Sequence, residues 1–341
     1  MSWEEEIIEY TRKIERNPNY DAYYKRGRAY SELGKYEQAI QDFNKAFEIV
    51  PNGEEWLRNY VYESRGEAYY ELKQYERAIP DLEKFIEADP CAAYYHAIKR
   101  LVGDAYIKSG QYERAVQYLS KFIEQSHSYY NYENPSCFYY RGKAYLNLNQ
   151  HEQANKDFNA VVDIYNELLK HDSNNSMSYA RRGAAYYELK QYEKAIRDFN
   201  KAIELNPSFE EAYKNRAEAY SKVFGQNEAA IKDYDKAIEL NPNDIEAYLK
   251  RGAVYLQSNM LELAIADFRR AIKLDSSSSE VYFNRSVAYS GLEKYERAIS
   301  DVSRYIELNP DDAKGYYLRG KYSRDLSRSD FERAKSLGYE E

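Results

Sequence analysis

Arginine and aspartate recur in step along this chain. Arg26, Arg65, Arg141, Arg182, Arg216, Arg251, Arg285 and Arg319 precede Asp42, Asp81, Asp157, Asp198, Asp233, Asp267, Asp301 and Asp330, respectively. Two chemistries fit. Each guanidinium can hold its own carboxylate in a forked pair, which suits arginine better than lysine. Alternatively, a row of arginines could recruit an anionic ligand. One stretch lacks both members and has Val102 and Tyr118 instead. Their joint loss favours a contact within each unit. Other chemistry is sparse. His96, His127, His151 and His171 are scattered, with no HExxH or CxxC spacing and no glycine-rich phosphate loop. Cys91 and Cys137 stand apart from any nucleophile motif. We expect no catalytic site, metal or cofactor.

The elements that carry these pairs repeat. The string YxxRGxAY recurs, with its glycine or a small substitute at Gly27, Gly66, Gly103, Gly142, Gly183, Ala217, Gly252, Ser286 and Gly320. The gaps are 39, 37, 39, 41, 34, 35, 34 and 34 residues. A second string follows, as in YEQAIQDFNKAF (36–47) and YEKAIRDFNKAI (192–203), and most units then reach a proline. Each unit holds two amphipathic stretches with apolar residues at i, i+3, i+4 and i+7. A short polar turn between them makes two antiparallel helices. One such hairpin cannot bury both faces, so units must stack.

A 34-residue period with small residues at positions 8, 20 and 27, aromatics at 4, 11 and 24, and proline at 32 resembles the tetratricopeptide repeat. In the fifth unit these are Gly183, Ala195, Ala202, Tyr179, Tyr186, Phe199 and Pro207. The resemblance implies an all-α, right-handed superhelical solenoid of about nine helix pairs. The units lie near 20–53, 59–92, 96–129, 135–168, 176–209, 210–243, 245–278, 279–312 and 313–339. Residues 1–18 read as an N-terminal capping helix, and 19–341 as one array. Expected helices are 21–33/36–49, 59–72/75–88, 96–109/112–125, 136–148/151–170, 177–189/192–205, 211–223/228–240, 245–257/261–274, 279–291/295–308 and 313–326/329–337. SHSYYNYENPS (126–136) reads as a loop. NELLK (166–170) extends the helix before it. Position 7 is commonly leucine in the family, whereas here it is arginine in eight units. The tyrosines at positions 4, 11 and 17 read as scaffold.

Composition narrows the function. With 49 Lys+Arg against 57 Asp+Glu the chain is acidic, which argues against nucleic acid as partner. No apolar run approaches the roughly 18 residues of a membrane span. The start, MSWEEEIIEY, does not read as a secretory signal. Two cysteines fit a reducing cytoplasmic compartment.

In the family, positions 2, 5, 6, 9, 12 and 13 face a concave groove. The resemblance implies a non-enzymatic scaffold that binds a protein or peptide ligand there. The second unit makes this surface acidic, with Glu63, Glu67 and Glu71, and the last makes it basic, with Lys314, Lys321 and Arg324. Groove tyrosines concentrate in units two to five. The expected site is therefore Tyr60, Tyr70, Tyr139, Tyr140 and Tyr187, with Arg100, Lys143 and Arg181 meeting partner carboxylates. The loop tyrosines Tyr129, Tyr130 and Tyr132 lie nearby in sequence. Two alternatives stay open: a self-assembling structural solenoid, and a co-chaperone that holds an acidic C-terminal peptide. The latter needs a lysine, asparagine and arginine clamp that no consecutive triple of units completes.

Overall fold

Asn-Pro pairs end one hairpin, and the next polar residue starts another. Proline cannot donate a backbone hydrogen bond and pushes the residue before it out of helical conformation. Asn19, Asp244 and Asp312 then act as N-caps, each accepting from a backbone N–H of the first turn. In this computed structural model, which describes residues 2–51, 53–54, 56–88, 96–126, 135–323 and 327–339, the described residues form nineteen α-helices and no strand.

Helix α1 (Trp3–Arg16) precedes nine pairs. They are α2 (Tyr20–Glu32) with α3 (Tyr36–Glu48), α4 (Leu57–Glu71) with α5 (Tyr75–Ala88), and α6 (His96–Lys108) with α7 (Tyr112–Ser126). Then come α8 (Pro135–Asn147) with α9 (His151–His171), α10 (Ser176–Glu188) with α11 (Tyr192–Leu205), and α12 (Glu210–Ser221) with α13 (Asn227–Leu240). The last are α14 (Ile245–Gln257) with α15 (Leu261–Leu274), α16 (Ser279–Gly291) with α17 (Tyr295–Leu308), and α18 (Ala313–Tyr322) with α19 (Ser327–Ser336). Most expected boundaries agree to within two residues. Helix α18 stops at Tyr322, short of the expected 326, with Ser323 in extended backbone. The loop expected at 126–136 falls largely outside the described residues.

The chain packs as two compact units, residues 1–164 and 165–341, and the boundary lies inside the long helix α9. Each is a helical-repeat solenoid. In the first, α3 packs on α4, α5 on α6 and α7 on α8; in the second, α11 packs on α12, α13 on α14, α15 on α16 and α17 on α18. The core of each pair comes from one stripe of its second helix. Ala39, Phe43 and Ala46 are fully buried, as are Ala195, Phe199 and Ala202.

The glycine of YxxRGxAY lets the two helices meet. A Cβ on Gly252 would lie 2.6 Å from Phe268, and one on Gly27 2.7 Å from Phe43. In the eighth pair a small side chain, Ser286, is tolerated where Val302 replaces the ring. The tyrosines of the scaffold are mostly half-buried. Tyr295 departs from that expectation, at 47% exposed. Helix α1 carries a capping box between Ser2 and Glu5. Trp3 and Ile8 stay exposed on it.

Candidate functional site

The arginine at position 7 and the aspartate at position 23 come together in every pair that has both. In all eight, Nε and Nη2 donate to the two carboxylate oxygens at 2.6–2.8 Å. The aspartates are buried, and each fork bridges the first and second helix of one pair. The row of arginines is therefore committed internally, which removes the reading of it as an anion receptor.

The same arginines also reach backwards. Nη1 donates to the helix that precedes the arginine's own: Arg26 to Thr11, Arg65 to Asn44, Arg141 to Ser120, Arg182 to Asn166, Arg216 to Asn200, Arg251 to Asp235 and Arg319 to Ser303. For Arg285 the corresponding residue is Arg269, which itself donates to Tyr289. The third repeat has no arginine at position 7, and there the acceptor of the preceding helix, Glu83, takes the hydroxyl of Tyr106 instead. Tyrosines one turn to either side complete the setting. Arg251 lies 5.7 and 5.8 Å from the ring centres of Tyr248 and Tyr255. Arg26, Arg216 and Arg285 repeat this arrangement. YxxRGxAY is thus an arginine clamp with aromatic walls.

Within residues 1–164, the first helices α2, α4 and α6 line an open cavity of about 700 Å³. Four glutamates, Glu32, Glu63, Glu67 and Glu71, face two arginines, Arg28 and Arg100. Positions 5, 9 and 13 place Glu63, Glu67 and Glu71 one turn apart on α4. Glu67 is exposed as a residue, but its carboxyl sits against the concave wall. The concave wall desolvates its carboxyl, and Glu63 and Glu71 add repulsion, so its pKa is pushed up to about 7. Aromatic rings run along the same wall. Tyr20 stacks on Tyr24 at 5.6 Å, Tyr24 meets Tyr60 at 6.4 Å, and Trp56 meets Tyr60 edge-on at 5.9 Å. Trp56 and Tyr60 are 57% and 46% exposed.

The residues expected from sequence separate into groups. Tyr60 and Arg100 line this cavity. Tyr70 is engaged elsewhere: its hydroxyl donates to Asp104 and accepts from Lys108 at 2.9 Å, and burial raises its pKa. Tyr139 packs on Phe158, and Lys143 lies 5.8 Å from the Tyr139 ring centre. Tyr140 is buried, 8% exposed, against the bare Cα of Gly103, and so presents no accessible wall. In residues 165–341, Arg181 pairs with Glu211 at 3.0 Å, and Tyr187 packs on Tyr192. Tyr129, Tyr130, Tyr132 and Arg324 lie outside the described residues. Sequence reasoning read Tyr24 as facing the groove but left it out of the expected site, and it missed Trp56. Tyr24 sits at a groove position, while Trp56 precedes its helix and has no position in the template.

The first helices of residues 165–341 treat charge differently. Lys214 reaches Asp244 at 2.8 Å, Glu210 at 3.3 Å and Glu246 at 3.4 Å, and Lys250 reaches Glu218 at 3.0 Å. Most of these pairs, with Arg181–Glu211, join neighbouring repeats. Arg181, Lys214 and Lys250 are thus each paired with a carboxylate within the chain. Among the described residues, no group of His, Cys, Asp and Glu is arranged to hold a metal ion. No helix among them is long and apolar enough to cross a membrane.

Profiles of the tetratricopeptide repeat match residues 14–52 and 176–209, residues 60–90, 245–278 and 279–312, and residues 101–168. A TPR repeat profile matches 225–259. No curated protein matches the chain by sequence. Among solved structures, MamA is 25% identical with a TM-score of 0.44, covering 48% of this chain and 96% of its own. YrrB, described as a TPR protein with an unusual peptide-binding site, is 18% identical with a TM-score of 0.46, covering 52% and 93%. Yeast Tom70 is 15% identical with a TM-score of 0.49, covering 93% and 76%.

Proposed function

We propose that this chain, which belongs to the tetratricopeptide repeat family, is a protein-interaction scaffold that holds a peptide segment of a partner in the groove of its first three repeats. Members of the family are typically non-catalytic interaction scaffolds. The observation that carries the reading is the contrast between the two units. The first opens a cavity of about 700 Å³ lined by four glutamates and two arginines, with exposed rings beside it, whereas in the second Arg181, Lys214 and Lys250 pair with carboxylates of a neighbouring repeat. Exposed tyrosine and tryptophan give contact area at little entropic cost and are enriched at interface hot spots. The acidic wall disfavours an acidic C-terminal peptide. A reducing compartment such as the cytoplasm fits the buried Cys137, whose thiol burial pushes up to about 12. The test is partner capture by the full chain and by a Trp56→Ala/Tyr60→Ala variant. Loss of the same partners at an unchanged melting temperature supports the groove; retention of all of them overturns it.

A second reading rests on Phe224, which is fully exposed, and on Met260 and Leu263, about half exposed. The turns that carry Phe224 and Met260 are tied by an Asn227–Ser258 hydrogen bond, and exposed apolar side chains on linked turns suit self-association. Light scattering decides it. A dimer that Phe224→Asp abolishes supports this reading, and a wild-type monomer at high concentration removes it.

A further inference from the structure

We propose that the groove of α2, α4 and α6 selects a basic peptide segment, with lysine or arginine side chains entering between Tyr60, Trp56 and the carboxylates of Glu63, Glu67 and Glu71. The inference rests on the groove reading above and gives it a chemistry. Two independent features of the wall point to a cation. Four glutamates stand against two arginines around the cavity, so the potential inside it favours positive charge. Beside them, the exposed rings of Tyr60 and Trp56 offer π-faces that attract ammonium and guanidinium groups. A metal ion is a poorer occupant, because the carboxylates are strung along α4 and do not converge.

Spacing sharpens the proposal. Glu63, Glu67 and Glu71 are one turn apart, about 6 Å in rise. Alternate side chains of an extended peptide are about 7 Å apart. Basic residues at alternate positions therefore match successive carboxylates. The charge of the expected partner thereby reverses. Arg181, assigned from sequence to a partner carboxylate, is held by Glu211, and Arg100 shares its cavity with the four glutamates.

The pH dependence has a definite sign. Glu67 faces Glu63 and Glu71 on its own helix, Arg28 and Glu32 from α2, and Arg100 from α6. Its carboxyl loses its proton near neutrality, and only the ionised form attracts a cation. Binding of a basic peptide should weaken as pH falls from 8 to 6.

The test is selection of random twelve-residue peptides on the full chain at pH 8, followed by titration of the enriched sequences. The expected result is lysine or arginine enriched at alternate positions. Binding should be at least tenfold weaker in Glu67→Gln/Glu71→Gln, at an unchanged or higher melting temperature, and the pH dependence should flatten in Glu67→Gln. Enriched peptides that are acidic or uncharged overturn the inference. So do basic peptides that bind the double glutamine variant as tightly as wild type. In both cases the groove reading survives if Trp56→Ala/Tyr60→Ala abolishes binding. If no peptide is enriched, or the aromatic variant binds unchanged, the groove reading fails first and takes the inference with it.

Discussion

A forked pair such as Arg182–Asp198 holds its charges within 2.8 Å, the aspartate buried and the arginine nearly so. Removing one partner strands the other. Asp198→Ala should destabilise the fifth repeat by about 3–5 kcal/mol, whereas replacing both residues by well-packed apolar side chains should cost much less. The third repeat already makes that replacement with Val102, fully buried. Denaturation of the single and double variants checks the difference. Glu67 gives a prediction of opposite sense. Burial on the concave wall raises its folded pKa above the usual carboxylate range, so its ionisation works against the fold. That penalty is absent at pH 4, grows as pH rises, and is complete above about pH 7. Glu67→Gln should therefore raise the melting temperature at pH 8 and leave it unchanged at pH 4. The joint loss of Arg and Asp in one repeat made the fork legible in the sequence. The backward bond to Asn44 or Asn200 was not, because it lies between repeats and its acceptor varies among Thr, Asn, Ser and Asp.

Helix pairs were the most legible level, since the turn and Asn-Pro signals are local. Their close approach is testable. Gly252→Ala places a Cβ 2.6 Å from Phe268, and overpacking of this kind should destabilise by about 1–3 kcal/mol. Combining it with Phe268→Val should recover part of the loss, because the eighth pair uses Ser286 with Val302. A double-mutant cycle measures the coupling. Where the helices differ from expectation, the cause is also local. Ser323 turns extended and ends α18 one turn early. Tyr140 points the other way: its groove position matched the family pattern, yet the missing side chain of Gly103 draws the ring inside.

Across the whole chain, the repeat period determines where grooves can lie but not which groove is available. Availability depends on pairing between residues about thirty apart, as with Arg181 and Glu211 or Lys214 and Asp244. A position-by-position reading of one repeat cannot see those partners, which is why the expected site spread over four repeats and mixed engaged with accessible residues. The proposed surface lies within residues 20–108, where carboxylates line a cavity with exposed rings beside it. Hydrogen exchange of the full chain with and without a saturating basic peptide tests this most directly. Added protection is expected in α2, α4 and α6 and none in α12, α14 and α16. Protection confined to α12, α14 and α16, or absent from α4, would contradict it.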